Sequence, residues 1–274
     1  MKPGIYTCDQ LSNEQYHAAD GISKSGLDLI MRSPAHYRFG ERKEATRAME
    51  IGTALHCAIL EPERFATDYM LLRNVADRRS SEYKEACKVW SSERVLTGTE
   101  ADRVAGMQES ALSNPHLSQY LNAPGRCELS MFATDPETGA LVKCRFDKLT
   151  DSGFAVDLKK TQDLRDFAKS VANYGYHMQA AFYLDVYKWA TGDDLSAFVF
   201  AAVEELLPHA SAPFVLDDEA LEIGRMLYRK ALNTYAECLD ADEWPGIACE
   251  PETIQLPSWY INQFEQESEV KFDE

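Results

Sequence analysis

Apolar and polar positions alternate along residues 127–133 (CELSMFA) and again along residues 142–160 (VKCRFDKLTDSGFAVDLKK), the period of two that marks strands. The second stretch is interrupted by Thr150-Asp151-Ser152-Gly153, a tight polar turn, so the spacing predicts a hairpin. Further strands are predicted over residues 197–203 and near 213–216. Elsewhere the apolar positions recur at helical spacing. One helix begins at Ser23 or Ser25, carries Leu27, Ile30 and Met31, and meets Pro34. A second spans residues 46–62 and is closed by Pro62. Others cover residues 81–91, residues 99–112 with Thr99 as cap and first-turn acids behind it, residues 174–190, and residues 217–239. A Pro/Gly break at residues 122–125 separates a helical half from a strand-rich one. The expected fold is therefore α/β (α+β), one domain over residues 1–274. It has a helical part at 1–122, a sheet-bearing core at 123–256 and an acidic tail at 257–274.

With 45% apolar residues the chain can bury a full core, and no apolar run reaches the length of a membrane span. The first residues lack the charged-then-apolar pattern of a signal peptide, so a cytoplasmic location is expected. Cys8, Cys57, Cys87, Cys127, Cys144, Cys238 and Cys249 are odd in number and scattered, with no C-x-x-C pair. That argues against a disulfide framework, a zinc ribbon or an iron–sulfur cluster.

The net charge of −17 speaks against an ordinary nucleic-acid binder, but its distribution changes the picture. Residues 217–274 hold 15 acids against 4 bases, which leaves only −6 for residues 1–216. Arg32, Arg38, Arg42, Lys43 and Arg47 form a local basic stripe against Glu41 and Glu44, either a solvated helix face or a phosphate contact. Arg73, Arg78 and Arg79 mark a second basic connection. The tail has aromatic anchors Trp259, Tyr260 and Phe264, then an acidic end with the composition of a disordered segment.

The candidate chemistry sits in the hairpin. Asp147 lies near the end of its first strand; Asp157 and Lys159 share one face of the second, while Val156 and Leu158 take the other. Two acids and a lysine are costly to bury together without a metal or a partner. The hairpin alone leaves two readings open, a divalent metal site or an exposed hairpin with surface charges. His56 stands within the apolar pattern of its helix, one turn after Gly52, as either a core residue or a metal ligand. Gly52 itself is expected to serve close packing. Gln179 and Tyr183 are four apart and so share a helix face, with Tyr176 nearby.

The order is helix with His56, strand, strand with Asp147, strand with Asp-Leu-Lys, helix with Q-x-x-x-Y, strand. In that order the chain resembles the PD-(D/E)XK nuclease superfamily, its RecB-like exonuclease branch, and most of all the RecE-type (exonuclease VIII) nuclease domain. The stretches GISKSGLDLIMRSPAHY and MEIGTALHCAILEPERF look like that family's N-terminal region. The resemblance implies a restriction-endonuclease-like core, a central mixed sheet flanked by helices. It makes His56 a motif histidine at the metal, Asp147 the aspartate of the "PD" half with Phe146 in place of proline, and Asp157 and Lys159 the (D/E)XK pair. Gln179 and Tyr183 match the Q-x-x-x-Y motif, which helps hold DNA and the catalytic lysine. Glu128 is a weaker match, to an acid near the metals or the DNA end, and Arg32 is a candidate DNA contact.

The donor set suits Mg²⁺ or Mn²⁺, held by His56, Asp147, Asp157 and the backbone carbonyl of Leu158, with one or two ions. Lys159 is the expected catalytic lysine, and Lys160, on the other strand face, is not. The implied activity is a 5′→3′ exonuclease on double-stranded DNA ends, leaving 3′ tails for a single-strand annealing protein in phage-type recombination. A homo-oligomeric ring is implied too, with Arg32, Arg38 and Arg73 facing its channel. Three rivals remain: a catalytically silent DNA-end or partner-binding module, a structure-specific or restriction-type endonuclease, and an acidic metal-binding α+β protein unrelated to DNA.

Overall fold

The computed structural model describes residues 1–41, 44–247, 251 and 253–269. Arg42, Lys43, Cys249 and the end of the acidic tail lie outside the described residues. In chain order these form β1 (Gly4–Tyr6), α1 (Asn13–Ala18), α2 (Lys24–Arg32), α3 (Pro34–Phe39), α4 (Arg47–Leu60), α5 (Pro62–Asp68), β2 (Met70–Leu72), α6 (Ser81–Val89), β3 (Val95–Thr97), α7 (Gly98–Ser113) and α8 (Pro115–Leu121). Then come β4 (Gly125–Thr134), β5 (Leu141–Thr150), β6 (Phe154–Thr161), α9 (Phe167–Tyr174), α10 (Tyr176–Thr191), β7 (Ala197–Glu204), β8 (Ser211–Val215), α11 (Asp218–Ala241) and α12 (Ser258–Glu269).

The main sheet has six strands in the order β1-β4-β5-β6-β7-β8. All neighbours are antiparallel except β6 and β7, which are parallel. A parallel pair needs a crossover, and α9 and α10 supply it. Strand alternation then builds two cores. Phe146, Ala155, Phe198 and Phe200 pack on the face covered by α2, α10 and α11. Val156, Leu158, Ala201 and Val203 pack on the opposite face, against α4, α7 and α8. Each fully buried Phe or Leu contributes about 1.5–3 kcal/mol, so β6 and β7 are held rigidly from both sides. The α/β class, the mixed sheet and its helical flanks agree with the sequence reading.

Several boundaries moved for local physical reasons. The cap of α7 is Thr97, not Thr99: its hydroxyl accepts from Glu100 N–H while the Glu100 carboxylate accepts from Thr97 N–H, a capping box. The helix expected over residues 174–190 breaks at Gly175, whose φ of 63° ends α9 and turns the chain into α10. Pro34 and Pro62 open α3 and α5, because the first helical position needs no N–H. The helical half also contains the short parallel pair β2–β3, three residues each, too short to show a period. In the tail, α12 is helical, with Tyr260 and Phe264, four residues apart, in edge-on ring contact, and Trp259, Tyr260, Ile261 and Phe264 are exposed rather than anchored. Among the described residues, no helix is long and apolar enough to cross a membrane.

Candidate active site

β5 and β6 pair only at Lys148↔Val156 and Leu149↔Ala155, then separate. Where the ladder stops, the Leu158 N–H donates to Asp147 Oδ2 at 2.8 Å instead of to a strand carbonyl. The opening admits side chains from both faces of the sheet, and a cavity of about 850 Å³ lies over it. Asp147, Leu158 and Lys159 line it, together with His56, Glu128 and Tyr176.

His56 comes from α4. Thr46 caps that helix, and Arg47 pins its first turn to Glu100 through two bonds of 2.8 and 2.5 Å, and to Glu50 at 2.7 Å. Two turns further on, His56 Nδ1 stands 3.3 Å from Asp147 Oδ2. On β4, Glu128 has a φ of 51°, a conformation that few non-glycine residues adopt. It faces Asp147 across the ladder at the one position where the β4–β5 pairing is interrupted. One ligand atom from each of His56, Glu128 and Asp147 lies within 4.8 Å of the others. Burial, and then the neighbouring Asp147 charge, push the Glu128 carboxyl up to about 8. Strain and like charge gathered at one point mark a site built for a cation. Nitrogen plus carboxylate oxygens are the donors that Mg²⁺ or Mn²⁺ accepts, so the residues fit a divalent ion.

Asp157 lies deeper, only 4% exposed. Its Oδ1 accepts from Gln179 Nε2 at 2.6 Å, and its Oδ2 sits 2.5 Å from Lys159 Nζ. That contact is an ion pair without good hydrogen-bond geometry, because Oδ2 receives no directed hydrogen bond. Burial raises the Asp157 pKa, and the Lys159 charge offsets part of the rise. For Lys159 burial favours the neutral amine, yet the Asp157 and Asp147 charges outweigh it and raise its pKa, so it is an ammonium at neutral pH. The ammonium also lies 4.6 Å from the centre of the Tyr176 ring, a cation–π contact.

Of the residues chosen from sequence, the structure brings His56, Glu128, Asp147, Asp157, Lys159 and Gln179 to one opening. Leu158 lines the cavity, and its N–H holds Asp147. Tyr183 packs edge-on against Phe146 and Phe198, in the core rather than along the cavity wall. Lys160 points to the other face, where it borders the cavity but has its ammonium paired with Glu205, itself held by Arg103 at 2.9 Å. Arg32 and Arg73 are exposed and Arg38 lies over the Trp244 ring, none of them on the cavity. Arg47 of the basic stripe is used internally. Of the cavity's cations, Lys159 and Lys160 were weighed from sequence, whereas Arg64, Arg94 and Arg145 were not. Arg64 pairs with Glu61 and Asp68, Arg94 with Asp68, and Arg145 lies 4.0 Å from Glu128. Nothing in the spacing of these arginines signals the site. Gly52 also differs from expectation: a Cβ there would meet nothing within 4 Å, because that side of α4 borders the cavity.

Residues 23–256 match the model of a family described as a PDDEXK-like domain of unknown function (DUF3799). No curated protein matches the chain in sequence. Among solved structures, the crystal structure of a "putative exonuclease" from Eubacterium rectale aligns with a TM-score of 0.63 at 14% identity, over 93% of this chain and 98% of that one. A second structure, SSO0001, aligns at a TM-score of 0.31 and 15% identity, over 70% of this chain and 86% of that one.

Proposed function

We propose, from the premise that the chain belongs to the PDDEXK-like domain family matched by residues 23–256, that it is a metal-dependent exonuclease acting on the ends of double-stranded DNA. Family and fold support a nuclease, a phosphodiester hydrolase. The observation that carries the reading is the convergence of His56, Glu128 and Asp147 within 4.8 Å, beside the buried Asp157–Lys159 pair. A silent binding module has no need of a buried ammonium held between a carboxylate and an aromatic ring.

His56, Glu128 and Asp147 would hold the divalent ion, with Asp157 beside them. When bound, such an ion polarises the phosphate and acidifies a water. The protein's own groups do the rest. Lys159, protonated at neutral pH, offers positive charge and N–H donors to the phosphate and the attacking water. Asp157 holds that ammonium in place, and Gln179 fixes Asp157 by its 2.6 Å hydrogen bond. The Leu158 N–H keeps Asp147 turned toward His56.

By resemblance to the RecE-type nuclease domain, we infer 5′→3′ polarity, 3′ single-stranded products and a single-strand annealing partner. A homo-oligomeric ring in which Arg32, Arg38 and Arg73 line the channel is part of the same inference. The test is digestion of an end-labelled linear duplex and a closed circle with Mg²⁺, and with EDTA as control. Release of label from the 5′ end with the circle spared is expected. Cutting of the circle would make the protein an endonuclease, and no cleavage with intact DNA binding would make it a binding module. Binding should weaken as salt rises; affinity insensitive to salt would contradict phosphate contacts.

A further inference from the structure

We propose that Gly52 is the place on α4 where the substrate backbone passes closest to the protein, and that its missing side chain admits the nucleotide next to the cleaved bond. The proposal rests on the nuclease reading above. Glycine is the poorest helix former after proline, so one inside α4 calls for a reason. Every other described glycine within a helix has one in its packing. A Cβ at Gly26 would stand 2.9 Å from Ile22, at Gly98 2.3 Å from the Arg73 carbonyl oxygen, at Gly106 2.6 Å from the His209 ring and at Gly224 2.3 Å from the His177 carbonyl oxygen. Gly52 has no such neighbour, and it does not need a positive φ. What it does face is the cavity.

Its position within the cavity wall gives the vacant side a purpose. His56 follows four residues later, about 6 Å along the helix axis and on the same face. Neighbouring nucleotides of a duplex strand are about 3.4 Å apart along the duplex axis. A strand with its cleaved phosphate at His56 therefore has the next nucleotide or two beside Gly52. Any side chain there would occupy that space. A Cβ alone would touch neither His56 nor the carboxylates, so alanine leaves ion binding unaffected, whereas a leucine, four residues before His56 on the same face, reaches toward that ring as well.

The experiment compares Gly52→Ala and Gly52→Leu with the wild type in three measurements. They are thermal melting, Mn²⁺ binding by calorimetry, and equilibrium binding of a short duplex with Ca²⁺ in the site. Gly52→Ala is expected to melt about 2–4 °C higher, since alanine favours the helix and meets no clash. Mn²⁺ affinity of the alanine variant should stay within about twofold, while DNA binding weakens about threefold for alanine and at least about tenfold for leucine. With cleavage measured, the alanine variant loses mainly through KM. Wild-type DNA affinity in Gly52→Leu overturns the proposal, and so does a Gly52→Ala that melts lower than wild type, which would give the glycine a structural role. If the wild type binds DNA without cutting it, the nuclease reading fails while the size series on binding still decides the role of Gly52. If the wild type binds no DNA, both fail.

Discussion

Glu128→Gln separates the cost of building this site from its use. In the metal-free protein, burial and the Asp147 charge hold the Glu128 carboxyl at about 8, against an ordinary value of 4.5. The sign follows from comparing the two states. Below pH 4.5 the carboxyl is protonated both folded and unfolded and contributes nothing. Between pH 4.5 and 8 the unfolded chain releases its proton while the folded protein keeps it, so stability falls as pH rises. Above pH 8 the penalty is constant. At about 1.4 kcal/mol per pKa unit the upper bound is about 5 kcal/mol. The side chain is 23% exposed. Solvent screening and small movements reduce the expected penalty to about 1–2 kcal/mol. Glutamine keeps the shape and drops the charge. In EDTA at pH 8.5 the variant should melt about 3–6 °C above wild type, and at about pH 3.5, below the unfolded value, the two should coincide. With Mn²⁺ the order should reverse, because wild type gains RT ln(1 + [L]/Kd) from an ion that the variant binds poorly. A variant that melts below wild type in EDTA at pH 8.5, or a gap that does not change with pH, would refute the reasoning.

Three further outcomes follow from the same geometry. Asp157→Ala or Lys159→Ala should cut metal-dependent DNA degradation at least about 10³-fold with the fold intact by circular dichroism, while Lys160→Ala stays active and loses about 1 kcal/mol with its Glu205 pair; wild-type digestion by the first two, or a dead Lys160 variant, sinks the assignment. Tyr176→Leu should lower kcat about tenfold through a loosened Lys159 ammonium, and Tyr176→Phe, which keeps the ring face, should restore it; equal loss in both variants would point to the hydroxyl instead. Glu100 is pushed up by burial, but Arg47 and the Thr97 bonds bring its pKa below the ordinary carboxylate value. That stabilisation is complete above pH 4.5 and is lost as pH falls through the folded value. Arg47→Ala should therefore cost about 2–3 kcal/mol at pH 7 by urea unfolding and flatten the acid limb of the stability curve, and an unchanged acid limb would discount the pair.

Much of the site was legible in the chain because its signals are local. Strand alternation put Asp157 and Lys159 on one face and Lys160 on the other, and the structure keeps that division. Helical spacing placed His56 on α4 and Gln179 on the helix that follows the hairpin. What failed was also local in origin. A glycine inside a periodic pattern looks the same whether it ends a helix, as Gly175 does, admits a neighbour, as Gly106 does, or faces a cavity, as Gly52 does.

The sequence by itself determined the order of elements, the hairpin and the residue types that chemistry requires, because periodicity, turns and caps depend on neighbours along the chain. Only the tertiary structure decided that β5 and β6 part beyond Lys148. That parting lets His56, from one face of the sheet, meet Asp147, and leaves Asp157 and Gln179 bonded on the other. It also made Glu128, a weak match by sequence, a member of the three-residue cluster through a left-handed backbone that no pattern of residues announces. Tyr183, the sequence partner of Gln179, went to the aromatic packing, and Tyr176 took the place beside Lys159. Such outcomes depend on contacts between residues distant in the chain, where burial and charge act through space.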